Sequence, residues 1–179
     1  MNRCASLVVV GLVLAGCRTG GGGPAGGGGV PADAPTPADA IVERIVDGDT
    51  IDVVIDGRTD RVRLTGIDTP EVARPASASR PATDGECFGD EATRFTSGLL
   101  PAGTPVRLER DIVARDDYGR LLAYVYRAAD GIFVNYEIVR QGYAQPLTIP
   151  PNDTFADLIV QAARAAERDG VGLWSACAG

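Results

Sequence analysis

Histidine and lysine are both absent from this chain of 179 residues, so all 17 basic side chains are arginine. Their absence excludes Ser-His-Asp and Cys-His catalysis, histidine-bound zinc, a Schiff-base lysine and the lysine of a phosphate-binding loop. A general base in this protein must therefore be a carboxylate or, less favourably, a tyrosine or a thiolate.

A hydrophobic run long enough to span a bilayer as a mature helix is also absent from the N-terminal region. The apolar stretch 5–14 is too short, Arg3 precedes it, and Leu14-Ala15-Gly16-Cys17 closes it with small residues. This arrangement resembles a bacterial lipoprotein signal at 1–16, which implies cleavage before Cys17 and lipidation of that cysteine. An ordinary secretory signal or an uncleaved anchor is the alternative. Because several acyl chains hold a protein stably on a membrane, we expect an exported lipoprotein anchored in the cell envelope.

Residues 17–40 consist almost entirely of glycine, alanine and proline after the cysteine, with glycine runs at 20–23 and 26–29. No apolar periodicity is present, which is typical of a flexible tether. A phosphate-binding glycine loop is the more specific alternative, but no strand pattern precedes these glycines and no lysine follows them.

The remaining segment, 41–179, is long enough for one compact domain. Its patterns predict strands at 41–46, 50–55, 61–64, 105–110 and 121–127, and helices at 88–100, 134–142 and from a cap at Asp153 or Thr154 to Arg168. Asp56-Gly57 predicts a hairpin turn between the second and third strands. Five strands with about three helices predict an α+β, mainly β-barrel domain of the OB-fold type; a small α+β domain of another fold is the alternative.

Acidic residues and arginines recur in four short motifs. These motifs are Asp47-Gly48-Asp49-Thr50, Arg63, Asp68-Thr69-Pro70-Glu71 and Asp117-Tyr118-Gly119-Arg120. Together they offer carboxylates for a hard divalent cation, a further carboxylate to activate water, and guanidinium groups for phosphate oxygens. Each acidic motif alone is equally typical of a turn, so the prediction depends on the whole set and its order.

The ordered set resembles the staphylococcal nuclease (thermonuclease) family from about Ile41 to Trp174, with further matching stretches at 120–126, 134–142 and 172–174. The resemblance implies an OB-fold barrel and a calcium-dependent endonuclease that cuts DNA and/or RNA to 3′-phosphate and 5′-hydroxyl ends. It also implies that Asp49 and Asp68 bind Ca²⁺ through carboxylates, that Thr69 supplies a carbonyl ligand, and that Asp47 supports the site.

For catalysis, the resemblance implies that Glu71 is the general base and that Arg63 and Arg120 neutralise the phosphate. It implies that Tyr118 contacts the nucleotide. Either arginine has a structural alternative, which is pairing with a nearby surface acid. Two features depart from the family pattern: Asp117 stands where a well-known member carries lysine, and 148–151 replaces a stretch with substrate-facing tyrosines.

The formal net charge of −7 becomes −8 when Arg3 is removed with the signal, whereas nucleic-acid-binding proteins are usually basic. We therefore expect weak, salt-sensitive binding of nucleic acid, in which a bound cation and local arginines offset the overall charge. We also expect the protein to be a monomer. A catalytically weak nucleic-acid-binding OB-fold lipoprotein is the second hypothesis, and an adaptor for a protein partner is the third.

The four cysteines fall into two groups. Cys4 would leave with the signal and Cys17 would carry lipid. Cys87 and Cys177 remain in a domain that we expect to be exported, where disulfides persist. We predict that they form a disulfide; two free buried thiols are the alternative.

Overall fold

A computed structural model of the protein describes residues 38–77 and 81–178. The predicted signal at 1–16, the predicted lipidation site Cys17 and nearly all of the tether at 17–40 lie outside the described residues and stay predictions. In the part of the chain that is described, no helix has the length and apolar character needed to cross a membrane.

Strands and helices alternate along the described chain. The strands are β1 (Ala40–Asp47), β2 (Thr50–Ile55), β3 (Arg58–Leu64), β4 (Gly66–Asp68), β5 (Pro105–Glu109), β6 (Leu121–Arg127) and β7 (Gln145–Leu147). The helices are α1 (Gly89–Leu99), α2 (Val134–Arg140), α3 (Ala156–Arg168) and α4 (Leu173–Ala176).

Five strands close into a barrel in the order β1-β2-β3-β6-β5. Neighbouring strands are antiparallel except for β3 and β6, which run parallel, and the barrel closes where Ala40 pairs with Val106. Strand residues that face inward are apolar and buried, including Val42, Ile51 and Val62. The predicted five-stranded OB-type barrel in an α+β domain is confirmed.

The hairpin predicted at Asp56-Gly57 is also confirmed. Both residues have positive φ angles, 48° and 76°, which is the conformation of a two-residue turn that matches the twist of paired strands. This turn sets the register in which Thr50 pairs with Arg63, and so fixes one predicted acidic motif beside one predicted arginine.

Three described elements were not predicted. The short strands β4 and β7 pair with each other outside the barrel, and α4 is a single turn of helix near the C-terminus. The prediction of a side-chain cap at Asp153 or Thr154 was wrong: α3 begins after Phe155 with no side-chain cap. The Thr154 hydroxyl instead donates to Asp111 at 3.0 Å.

The disulfide predicted between Cys87 and Cys177 is present, with Cα atoms 5.9 Å apart. It joins the residues just before α1 to the residue that follows α4. The C-terminal end of the domain is thereby fixed to the segment that leads out of the 71–86 loop.

Candidate active site

Two buried carboxylates lie at the turn between β1 and β2. Asp47 and Asp49 are 6% and 4% exposed. Register irregularities near the end of β1, including one between Ile45 and Asp47, disturb the regular alternation of side chains there, as β-bulges beside functional sites do. Two acids that an ordinary hairpin would expose to solvent therefore point inward at this turn.

Close packing of Gly48 against the Thr69 side chain joins this turn to the second acidic motif. A Cβ atom on Gly48 would lie 2.7 Å from the Thr69 hydroxyl, so only glycine fits. The Thr69 backbone N–H donates to Asp49 Oδ2 at 2.9 Å. On the other side, the buried Thr96 hydroxyl of α1 donates to the Gly48 carbonyl at 2.6 Å. Acids that are far apart in sequence are thus brought together.

Arg63 lies between the two carboxylates predicted to bind the cation. Its Nη1 is 3.0 Å from Asp49 Oδ2, and its Nη2 donates to Asp68 Oδ1 at 2.7 Å. Nη1 also donates to the carbonyls of Leu64 and Ile67, which fix the guanidinium plane. Asp68 is 58% exposed at its side chain, so the pair combines one buried and one solvent-facing carboxylate.

Burial dominates the ionisation of Asp49 and raises the pKa of that carboxyl to about 7. The positive charge of Arg63 and the hydrogen bond from Thr69 oppose the rise, whereas the negative charge of Asp47 adds to it. A cation bound beside Asp49 would favour the charged form of this carboxyl.

Glu71 is 55% exposed and lies at the start of the 71–86 loop. Its Oε2 accepts a hydrogen bond from Arg74 Nη2 at 2.9 Å, and the same nitrogen donates to Asp47 Oδ2 at 2.7 Å. The loop closes on itself because the Glu86 backbone N–H donates to the Glu71 carbonyl at 2.8 Å. The predicted base is therefore tied to a predicted metal-site acid through one arginine.

Arg120 is held by an acid, as its structural alternative proposed. Asp116 accepts from Arg120 Nε at 2.6 Å and from its backbone N–H at 2.9 Å. The guanidinium carbon also lies 5.5 Å from the centre of the Tyr118 ring, which is 86% exposed. In the described residues no hydrogen bond uses the Nη atoms of Arg120, so they remain available for a phosphate.

A pocket of about 380 Å³ connects the two predicted phosphate-binding arginines. Arg63, Tyr118 and Arg120 line it together with aliphatic and proline side chains. Ile149, Pro150 and Pro151 form part of this wall, so the 148–151 segment that departs from the family pattern lies at the pocket.

The donor set fits a hard cation with an incomplete protein shell. Among residues 38–77 and 81–178, no three acidic or cysteine side chains converge closely enough to hold a metal by themselves. Asp49 and Asp68 nevertheless contact a single guanidinium, and carboxylate oxygens are the ligands that Ca²⁺ prefers. Waters and a substrate phosphate would supply the remaining ligands.

Three residues build this site in roles that the sequence did not predict. Thr96 supports the Gly48 turn, Arg74 joins Asp47 to Glu71, and Asn135 is a fully buried amide. The Asn135 side chain accepts from the Val125 N–H at 2.9 Å and donates to the Thr65 carbonyl at 2.9 Å, which fixes the chain between β3 and β4. The sequence does place Asn135, a polar residue, within the apolar pattern of a short predicted helix, and this position could have indicated a structural role.

Several known proteins are similar to this chain in sequence. The family model described as staphylococcal nuclease homologue matches residues 61–176. The thermonuclease of Staphylococcus intermedius is 40% identical over 134 residues, covering 75% of this chain and 74% of that protein. The thermonuclease of Staphylococcus hyicus is 36% identical over 134 residues, with the same coverages of 75% and 74%. Endonuclease YncB of Bacillus subtilis is 35% identical over 136 residues, covering 75% of this chain and 60% of that protein.

The matched region begins within β3 and contains Arg63, the acidic segment 68–71 and the turn that carries Tyr118 and Arg120. The relatives extend the match over three quarters of the chain at more than 30% identity. On this evidence the chain belongs to the staphylococcal nuclease homologue family.

Proposed function

We propose that this protein is a calcium-dependent endonuclease that hydrolyses DNA and/or RNA. Family membership, with relatives named thermonuclease and endonuclease, makes the chain a nuclease, a hydrolase that acts on phosphodiester bonds. The observation that carries the finer proposal is the contact of Arg63 with both Asp49 and Asp68, which gathers cation ligands and a phosphate-binding group at one point.

Glu71 is the proposed general base. It is the solvent-accessible carboxylate that follows the Asp68-Thr69-Pro70 segment, and no histidine exists in the chain to take that role. Its carboxylate accepts a proton from water as the water oxygen attacks phosphorus. Exposure gives it access to the water, and Arg74 holds one of its oxygens.

Arg63 and Arg120 are the proposed clamp on the phosphate. Both line the same pocket, and guanidinium groups donate paired hydrogen bonds that match phosphate oxygens. Negative charge grows on the non-bridging oxygens as the new bond forms, so fixed positive groups stabilise the transition state more than the ground state. Tyr118, beside Arg120, is proposed to contact the nucleotide.

Asp49 and Asp68 are the proposed carboxylate ligands of Ca²⁺, with the Thr69 carbonyl as a third ligand and Asp47 in support. When bound, calcium supplies positive charge that polarises the phosphate and orients it toward the attacking water. To hold the cation, the Asp49 carboxyl would have to be deprotonated.

Attack opposite the 5′ oxygen breaks the bond between phosphorus and that oxygen. The products then carry 3′-phosphate and 5′-hydroxyl ends. Incubation of the domain from residue 38 with single-stranded DNA and RNA, in calcium or in chelator, followed by end-group analysis, tests the proposal. We expect calcium-dependent release of these ends. 5′-phosphate ends or full activity in chelator would mean another reaction, and binding without cleavage would favour the nucleic-acid-binding alternative.

We also propose that the nuclease domain is exported and held on a membrane through lipidated Cys17. The support is the sequence pattern of residues 1–17 and the disulfide between Cys87 and Cys177, which is typical of proteins outside the reducing cytosol. A lipid-anchored nuclease would act on nucleic acid outside the cytoplasm.

A further inference from the structure

Arg74 contacts Asp47 as well as Glu71, and the proposed mechanism does not use the contact with Asp47. One nitrogen, Nη2, lies 2.7 Å from Asp47 Oδ2 and 2.9 Å from Glu71 Oε2. A guanidinium Nη atom carries two N–H groups, so it can donate to both carboxylates at once. The contact therefore joins an acid of the β1–β2 turn to the proposed base, 24 residues later in the sequence.

The Asp47 end of this contact is rigid. Asp47 is buried, and in the described residues Arg74 is its ion-pair partner. Its Oδ1 also accepts from the Asp49 backbone N–H at 3.4 Å, within the turn that Gly48 and Thr69 hold in place. Removing the partner of a buried carboxylate is unfavourable, so the position of the Arg74 guanidinium is strongly set by Asp47.

The backbone of Arg74 is fixed as well. Its N–H donates to the Thr83 carbonyl at 3.0 Å, and the Thr83 N–H donates to the Arg74 carbonyl at 2.9 Å. This antiparallel bridge closes the loop just beyond Glu71. Arg74 is thus held at its main chain by the loop and at its side chain by the barrel.

The Glu71 end is different. More than half of its side chain is exposed, and the Arg74 ion pair is the side-chain contact that the described structure gives it. A glutamate without such a contact distributes over several rotamers, most of which point away from any one water position. Catalysis by a general base depends on hydrogen-bond reach to the water, so orientation matters directly.

The geometry points to Arg74 as a positioning residue that transmits the fixed position of Asp47 to the Glu71 carboxylate. This inference rests on the proposed function, because it assumes that Glu71 acts on water. Arg63 and Arg74 then have parallel roles: each joins one buried acid of the turn to one exposed acid of the segment 68–71.

A double-mutant cycle tests the inference. The four proteins are the parent, Arg74→Gln, Glu71→Gln and the double variant, each assayed for kcat and KM on a single-stranded oligonucleotide with saturating calcium. Arg74→Gln should lower kcat by about 10- to 10²-fold with little change in KM, since misplacing a catalytic group costs that much. In the Glu71→Gln background the same change should have almost no further effect, because the residue it positions is gone.

Two further variants separate positioning from simple stability. Arg74→Lys should recover part of the lost kcat, because it keeps a positive charge and N–H donors beside the two carboxylates. Arg94→Gln removes a matched, exposed ion pair to Glu91 on α1, at 2.8 Å, and should leave kcat unchanged. Thermal unfolding of each variant checks that the assays compare folded proteins.

The inference is overturned if Arg74→Gln has parental kcat, if it slows both backgrounds equally, or if Arg74→Lys is as slow as Arg74→Gln while folded. Parental activity in Glu71→Gln would instead remove the proposed base itself. The two failures are therefore distinguishable within one set of proteins.

Discussion

Arg63 Nη1 lies 3.0 Å from Asp49 Oδ2, and the two residues pair in the interior of the candidate site. Burial nevertheless raises the pKa of the Asp49 carboxyl to about 7. The ion pair thus offsets the cost of burial only in part. The unsatisfied remainder is what a divalent cation would supply.

The first prediction concerns the pH dependence of the calcium-free protein. The folded pKa of Asp49, about 7, lies above its ordinary value of 3.8. Its contribution to stability is therefore full below about pH 4 and is lost as the pH rises through about 7. We expect the free energy of unfolding to fall between pH 5 and pH 7 and to level off above about pH 7, measured by urea denaturation in chelator.

The absence of histidine keeps this interval free of other side chains with an ordinary pKa there. Hydrogen bonds from arginine lower the pKa of Asp52, Asp60 and Asp130, so those acids contribute at more acidic pH. Asp49→Asn should flatten the slope, and saturating calcium should remove or reverse it because the metal binds the deprotonated carboxylate. An unchanged slope in Asp49→Asn would assign the pH dependence to another group.

The second prediction concerns Glu71. Glu71→Gln keeps the shape of the side chain and the hydrogen bond from Arg74 but cannot accept a proton at neutral pH. Turnover should fall by about 10²-fold or more, as expected for loss of a positioned base. Calcium binding, measured by titration calorimetry, should remain. Near-parental turnover at matched circular dichroism would remove Glu71 from the mechanism.

The third prediction concerns the disulfide. Cys87 and Cys177 are separated by 90 residues, and closing a loop of that size stabilises a protein by up to roughly 4–5 kcal/mol in the chain-entropy model. The double variant Cys87→Ser/Cys177→Ser should unfold at lower urea concentration, and reduction of the parent should reproduce the shift. Two thiols that react in the unfolded, unreduced domain would contradict the bond.

The fourth prediction concerns the proposed lipid. In the full chain expressed in a bacterial host, Cys17→Ser should move the protein from the membrane fraction to the soluble fraction or leave an unprocessed precursor. Cys4→Ser is the matched control, since that cysteine lies within the predicted signal. A mature Cys17→Ser protein that stays in the membrane fraction would contradict lipidation.

The barrel could be predicted from sequence because its strands follow local rules. β-branched residues make up nearly all of β2, and Asp56-Gly57 fixes the turn that sets its pairing with β3. By contrast, β4 and β7 have three residues each, and β7 contains Pro146. Such segments carry too little periodicity to be recognised, and their pairing depends on the completed fold.

The candidate site, like the fold, could be predicted from the sequence only in part. Asp49, Asp68 and Glu71 could be proposed because they stand in short motifs whose order is informative. The relative positions of these three acids could not be predicted, because they depend on the close approach of Gly48 to Thr69. The role of Arg74 was also hidden, since nothing local distinguishes an arginine in a loop from one that reaches a buried acid far away in sequence.

The last prediction separates the two clamp arginines from arginines that only stabilise the fold. Arg63→Ala and Arg120→Ala should each lower kcat by about 10²-fold or more while changing KM less, since fixed donors act mainly on charge that develops in the transition state. Arg63→Ala also leaves the buried Asp49 unpaired, so it should be the less stable variant in chelator. Arg140→Ala, which removes an exposed ion pair to Glu137 on α2, is the matched control and should keep parental kcat. If KM rises and kcat is kept in the Arg63 and Arg120 variants, these arginines bind substrate uniformly and do not act as a transition-state clamp.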